Sequence, residues 1–350
     1  MFGIENKNTY KKVKILIAVI LSVVLVLPLY SCGSASSSSK SSKKSSSSGD
    51  TVRIGTMDLV NGDLIAREEK YYEKELGVKV KITKFDSGKD VNTALSSGSI
   101  DISELGSAPT ALGIANKVGY QVFWVGDVIG SAESLVAAKG SGITSVKDLK
   151  GKKVAVPFAS TSHYSLLNAL KQAGLSESDV KLLDLQPDDI YAAWKRGDID
   201  AAYVWYPVLA KLKKDGGTVI TDSAKLAKTG VITADLNVVR TAYAKKHPEV
   251  VVNYVKAQIK ANKVLNNDPS TAVKDISSIL EISKADAKDQ ITQFSYLNSD
   301  QQLDYLQNKI PQTLKKTGNF LKQQGSIQSV PSLKTYKAAV TTKYLKQALK

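Results

Sequence analysis

Val154-Ala155-Val156-Pro157-Phe158-Ala159-Ser160-Thr161-Ser162-His163-Tyr164-Ser165-Leu166-Leu167 decides the fold. It reads as a short buried strand, a loop of hydroxyl residues and an amphipathic helix. Ser and Thr just before a helix satisfy its first backbone N–H groups. Those N–H groups and the positive end of the helix dipole make an anion site. A strand that delivers such a loop to a helix start is how an α/β lobe presents an oxyanion pocket, so the first expectation is a protein that holds a small anion.

Outward from this stretch, strands and helices alternate. Val52–Met57 reads as a strand, Leu64–Leu76 has helical spacing, and Val78–Ile82 alternates as a second strand. Asp86-Ser87-Gly88 caps a helix over Val91–Leu95. Ile100–Leu105 is a third strand, and Gly106-Ser107-Ala108-Pro109 opens another helix, since proline in a first turn loses no needed hydrogen bond. The alternation predicts α/β layers with mostly parallel sheets. Ser97-Gly98-Ser99-Ile100-Asp101-Ile102 is echoed about a hundred residues later by Arg196-Gly197-Asp198-Ile199-Asp200-Ala201. Each reads as helix end, glycine turn, Ile-Asp, strand. One such unit per lobe would set two strand ends across a cleft, and ligands of open α/β sheets bind outside the carboxyl ends of strands. The same echo could also arise by coincidence in a common turn. After Val231–Arg240, a strand carrying Asp235, helices dominate to residue 350 and are expected to pack back on the first lobe.

The N-terminus carries an address. Lys7, Lys11, Lys12 and Lys14 precede an apolar run of 15 residues, Ile15–Leu29. That is short for a membrane span and normal for a signal-peptide core. Leu29-Tyr30-Ser31-Cys32 resembles a bacterial lipobox, and Cys32 is the only cysteine, so no disulfide can form within one molecule. Cleavage before Cys32 and lipid attachment to its sulfur are expected, with a plain free thiol as the alternative. Gly33–Asp50 holds eleven serines in 18 residues and no apolar pattern, as a disordered tether would. The expected organisation is a signal peptide (1–31), a lipidated cysteine and tether (32–50), the first part of lobe 1 (51–137), lobe 2 (138–233), and a return segment of lobe 1 with C-terminal helices (234–350). Localisation follows: the extracytoplasmic face of a cell membrane, held by lipid.

The net charge of +15 falls to +12 without residues 1–31, and nine lysines lie from Lys309 to Lys350 with no Asp or Glu among them. In an exported protein, dispersed lysines read as a solvated face near anionic polymers or headgroups; no nucleic-acid partner is expected. No Cys or His cluster exists for a metal, and no cofactor is expected. Ser162 or Ser165 with His163 does not make a hydrolase: adjacent helical residues point in different directions, and no Gly-x-Ser-x-Gly elbow is present. The protein is read as not an enzyme.

Lys84-Phe85-Asp86-Ser87-Gly88, Leu105-Gly106-Ser107-Ala108-Pro109, Val156-Pro157-Phe158 through Leu170, Leu185-Gln186-Pro187, Ala192 through Trp205, Lys214-Asp215-Gly216, Thr221-Asp222-Ser223 and His247-Pro248-Glu249-Val250-Val251 together carry a resemblance. Over residues 52–345 the chain resembles the taurine-binding, solute-binding components of ABC importers, within the wider group that binds aliphatic sulfonates and nitrate. The resemblance implies a two-lobed periplasmic-binding-protein fold (type 2) that closes on its ligand and does no chemistry on it. It implies a monomer whose partners are a small sulfonate and a membrane permease.

Taurine carries a sulfonate and an ammonium, so its site needs donors at one pole and an acceptor at the other. Ser107 and the residues Thr161, Ser162 and His163 are the candidate sulfonate pole. Plain N-capping, worth about 1 kcal/mol each, is the alternative for Ser107 and Thr161. Asp235 is the candidate for the ammonium, since a carboxylate in an apolar strand is costly unless paired; the resemblance also places an acidic residue there. The alternative is a partner Lys or Arg. Glu133, near the hinge, is a second acidic candidate or a structural residue. His163 either donates to the sulfonate or holds the loop. Trp205 offers a face to the methylenes and the ammonium; Tyr206 is as well read as core, and Trp194 better so. Met57 and Asn237 depart from the expected pattern, where a polar residue and a Trp are usual; loss of an aromatic wall would enlarge the pocket. Amine-free aliphatic sulfonates or nitrate form the competing ligand class.

Overall fold

The computed structural model of the protein describes residues 51–350; the signal peptide, Cys32 and the tether expected from sequence lie outside the described residues. Strand and helix alternate from the start: β1 (Thr51–Thr56), α1 (Gly62–Glu68), α2 (Tyr71–Glu75), β2 (Lys79–Lys84), α3 (Gly88–Ser97), β3 (Ile102–Gly106), α4 (Ser107–Ala115), β4 (Tyr120–Ile129) and β5 (Glu133–Ala137). The middle of the chain forms β6 (Lys153–Val156), α5 (Thr161–Gln172), β7 (Lys181–Asp184), α6 (Pro187–Arg196), β8 (Ala201–Trp205), α7 (Val208–Lys214), β9 (Thr218–Asp222) and α8 (Ser223–Ala227). After β10 (Ala234–Arg240) come α9 (Thr241–Lys246), α10 (Pro248–Asn267), α11 (Pro269–Ile279) and α12 (Lys284–Ile291). The short β11 (Phe294–Ser295), α13 (Ser299–Asp304), α14 (Ile310–Gln323), α15 (Leu333–Ala339) and α16 (Lys343–Ala348) complete it.

The strands form two sheets, one per lobe, in the orders β11-β4-β10-β3-β1-β2 and β7-β6-β8-β5-β9. In each, a parallel trio (β2, β1, β3 and β7, β6, β8) is extended by antiparallel strands. β5, placed by the sequence reading in the first-lobe segment 51–137, pairs with β8 and β9 of the second sheet. The outgoing crossover is therefore Gly130–Ala132, and the return crossover precedes β10. Aliphatic side chains such as Ile54, Ile102, Val122, Leu236 and Val238 in the first lobe, and Val154 and Val156 in the second, are fully buried. Each such burial contributes about 1.5–3 kcal/mol.

The echoed sequence is one device used twice. Gly98 and Gly197 both take left-handed conformations (φ 74°) and close α3 and α6 with backbone N–H donations to the last turn. Glycine meets this need without the Cβ penalty. Three residues on, Asp101 Oδ2 accepts the backbone N–H of Arg53 at 3.1 Å, and Asp200 Oδ2 accepts that of Lys153 at 2.8 Å. Each aspartate thus aligns the strand after the turn with its parallel neighbour, β1 in the first sheet and β6 in the second. The segment Leu64–Leu76, expected as one helix, is broken into α1 and α2 by Lys70, whose φ of 56° cannot continue a helix.

Candidate functional site

Between the sheets lies a cavity lined by residues of both lobes. Strand ends and helix starts build it, because a parallel strand hands its chain to a helix at its carboxyl end. Gly88 opens α3, Gly106 precedes α4, and Ser160 with Thr161 opens α5; all four line the cavity. Three helix N-termini thus point their free N–H groups and positive dipole ends at one space. The first turns of α4 and α5 carry no acidic residue to occupy those ends. Ser107, in the first turn of α4, is buried and its hydroxyl has no partner.

Two carboxyls, one from each lobe, stand beside these helix starts. Asp235 is the second residue of β10 rather than its middle, and Glu133 is the first residue of β5; both are buried and both line the cavity. Glu133 accepts hydrogen bonds from Thr161 Oγ1 and, at 3.2 Å, from Ser223 Oγ. Burial nevertheless pushes its pKa up to about 7, against the pull of the hydroxyls. Asp235 lies well above the usual carboxylate range, first by burial and then by the charges of Asp127 and Glu133. No Lys or Arg lines the cavity. Met57, Leu59, Val60, Ile129, Trp205, Tyr206 and Phe294 form an apolar wall of the cavity.

The lobes touch around this space. The Tyr206 hydroxyl donates to Asp289 of α12 at 3.2 Å, and Lys213 and Lys214 of α7 pair with Asp289 and Asp286 at 3.6 and 3.0 Å. On the other flank, Phe320 of α14 packs edge-on against Tyr164 and His163 of α5.

The structure brings together Thr161, Trp205, Asp235 and Glu133 as cavity-lining residues, with Ser107 beside them at the start of α4. The Thr161 hydroxyl is committed to Glu133. Ser162 is fully buried behind Thr161, close to Glu133. His163 does not line the cavity: two residues beyond Thr161, about 200° around the helix, its ring stacks on Phe158 at 4.4 Å. Its Nδ1 accepts the Ala159 N–H at 3.3 Å, and burial lowers its pKa to about 4, so it is neutral and holds the loop. Trp194 is core, as expected. Asn237 faces the interior of the first lobe, donating to the Tyr254 hydroxyl at 3.1 Å, and does not line the cavity. Sequence reasoning missed Asp127, although a carboxylate within the apolar Val125–Ile129 run gave the same signal as Asp235. Phe294, from the far end of the chain, gave none.

Among the described residues, no group of three His, Cys, Asp or Glu could hold a metal ion, and no helix is long and apolar enough to cross a membrane. Residues 60–272 match the family model described as NMT1/THI5 like. The chain is 38% identical over 287 residues to the taurine-binding periplasmic protein of Escherichia coli (strain K12), covering 80% of this chain and 88% of that protein. The fold is that of the alkanesulfonate-binding protein SsuA from Xanthomonas axonopodis pv. citri bound to MOPS (TM-score 0.71, 22% identity, 84% of this chain and 99% of that one). The desulfurization enzyme DSZB shares it too (TM-score 0.63, 16% identity, 86% and 99%). A family model that spans most of the chain, and an identity of 38% that spans more, lead to one conclusion: the protein belongs to the NMT1/THI5-like family.

Proposed function

We propose that the protein captures taurine, or a closely related sulfonate bearing an ammonium group, between its lobes and delivers it to the permease of an ABC importer. The observation that carries this reading is one cavity between the lobes in which three helix starts, two buried carboxyls and an apolar wall meet. A sulfonate is ionised and weakly basic, so neutral N–H donors and the Ser107 hydroxyl suit it. A buried arginine would add a charge that must itself be desolvated. The ammonium lies against Asp235, with Glu133 near, and the face of Trp205 covers the methylenes. The identity to a taurine-binding protein supports the same assignment.

The protein binds without chemistry. The DSZB likeness leaves that open at the level of fold, but here the one histidine near the cleft is stacked between aromatic rings, where it serves neither Ser162 nor Ser165 as a base. The protein works at the outer face of the membrane as a monomer, tethered through lipid on Cys32. A second reading, an amine-free sulfonate or nitrate, conflicts with the carboxyls, since such ligands leave Asp235 without a cation.

Calorimetry with taurine, ethanesulfonate, a longer alkanesulfonate and nitrate tests the reading. Taurine is expected to bind most tightly; ethanesulfonate binding as tightly as taurine would remove the ammonium role of Asp235.

A further inference from the structure

Behind Asp235 the acidic pole continues into the first lobe. Asp235 and Asp127 stand directly opposite each other on β10 and β4, with their carboxyls within hydrogen-bonding reach. Asp127 is completely buried. Its Oδ2 accepts from Asn61 Nδ2 at 3.1 Å, and its Oδ1 has no donor. The same Asn61 nitrogen donates to Glu104 Oε2 at 2.9 Å, and the other Glu104 oxygen lies 3.4 Å from the Met57 N–H.

Two of the three carboxyls, Asp127 and Glu104, therefore take the two hydrogens of one amide, and neither hydrogen reaches Asp235. The charged and titratable groups around them are Glu133 from β5, Asp63 and Arg67 from α1, Tyr254 from α10, and Tyr296 beyond β11. Arg67 is engaged by Asp58 at 2.6 Å and Asp63 at 3.5 Å, and pairs with none of the three. Like charges directly opposite on neighbouring strands repel, and two ionised carboxylates cannot hydrogen-bond each other. An orphaned Asp127 oxygen beside a second carboxyl, with no cation at hand, is an arrangement that one hydrogen completes. Burial and mutual repulsion, which hold all three acids well above the usual carboxylate range, agree with it.

We infer that Asp127 and Asp235 hold one proton between them in the empty protein, and that the ligand's ammonium replaces it, so that capture of an amino-sulfonate releases a proton. The inference rests on Asp235 being the ammonium partner. The O–H bond of the pair breaks, its proton leaves to solvent, and an ammonium N–H donates to the freed Asp235 oxygen. The pair passes from one negative charge to two as the ammonium's positive charge arrives, so the charge around the acidic pair is unchanged; because the ligand is a neutral zwitterion, the complex as a whole is more negative by the one proton released. An amine-free sulfonate leaves the proton in place.

The test is calorimetric titration of taurine into the protein at pH 6.5 in phosphate, cacodylate, imidazole and Tris, whose ionisation heats differ and which contain no sulfonate. The dependence of heat on buffer counts protons. Close to one proton released per taurine, and none per ethanesulfonate, is expected; Asp127→Asn should bind taurine with that release largely lost. Should the variant fail to fold, the wild-type pH series decides: taurine affinity should rise up to about tenfold per pH unit on the acid side, with ethanesulfonate flat. Taurine binding without proton release, release retained in Asp127→Asn but lost in Glu133→Gln, or equal pH slopes for the two ligands would overturn the inference while leaving the proposed ligand class intact. Failure of taurine to bind at all would instead overturn that class.

Discussion

Gly106 and Thr161 meet across the cleft so closely that a methyl group on Gly106 would stand 2.8 Å from Thr161 Cγ2 and 3.6 Å from Asp235 Oδ1. Gly106 has φ −60°, which any residue adopts, so the glycine is required by this approach and not by its backbone. Gly106→Ala is expected to leave each lobe folded and to wedge the lobes apart. Taurine affinity should fall by about 5- to 150-fold, since overpacking a tight contact costs about 1–3 kcal/mol, and scattering in taurine should report a more open molecule than wild type. Unchanged affinity would mean that the contact is not part of the ligand-bound form.

Asp235→Ala should weaken taurine by about 10- to 150-fold, the equivalent of a charged hydrogen bond worth about 1.5–3 kcal/mol. Ethanesulfonate should lose little. Equal losses for the two ligands, measured by calorimetry, would show that Asp235 shapes the lobe rather than recognising a cation.

Glu133 is pushed up to about 7 by burial, above its value in an unfolded chain. A raised carboxyl stabilises the folded protein fully below the unfolded pKa, and that contribution is lost as pH rises through 7. Urea unfolding of the empty protein at pH 5 and pH 8 should show a loss on the order of 2–3 kcal/mol from this group. In Glu133→Gln the loss should shrink by that amount; an identical pH dependence would mean Glu133 is ionised throughout.

His163 carries the opposite sign. Its pKa is lowered to about 4 by burial, so its contribution is full above about pH 6.5 and is lost as pH falls toward 4. His163→Phe keeps a ring on Phe158 and gives up the bond from the Ala159 N–H, costing about 1 kcal/mol at every pH. The acid-side slope should flatten, and taurine affinity should stay within about twofold. A large loss of affinity at neutral pH would place His163 in the site after all.

Cys32→Ser should abolish incorporation of labelled fatty acid and release the protein from the membrane fraction. Membrane retention without lipid would refute the anchor.

The alternation of strand and helix, the two glycine turns and the helix starts at Ser107 and Thr161 were legible because each is a local matter of spacing and capping. Asp235 was legible because a carboxylate among apolar neighbours needs a reason. The same logic reached Asp127 only once β4 and β10 were seen side by side, since pairing between strands a hundred residues apart leaves no local trace. Membership of β5 in the second sheet was hidden for the same reason: its apolar run fits either sheet. His163 sits beside the hydroxyl loop in sequence, yet helical rotation turns it to the far face. The commitment of Thr161 to Glu133 depends on β5 and the start of α5 meeting within the second lobe, which no single segment encodes.

Phe294 closes one side of the cavity from β11, which joins the edge of the first sheet by pairing with Ile129 and Val128. A nascent chain therefore has no finished pocket until some three hundred residues have been made, long after both glycine turns exist. The pocket is thus completed from the late part of the chain, by the strand that also finishes the edge of the first sheet.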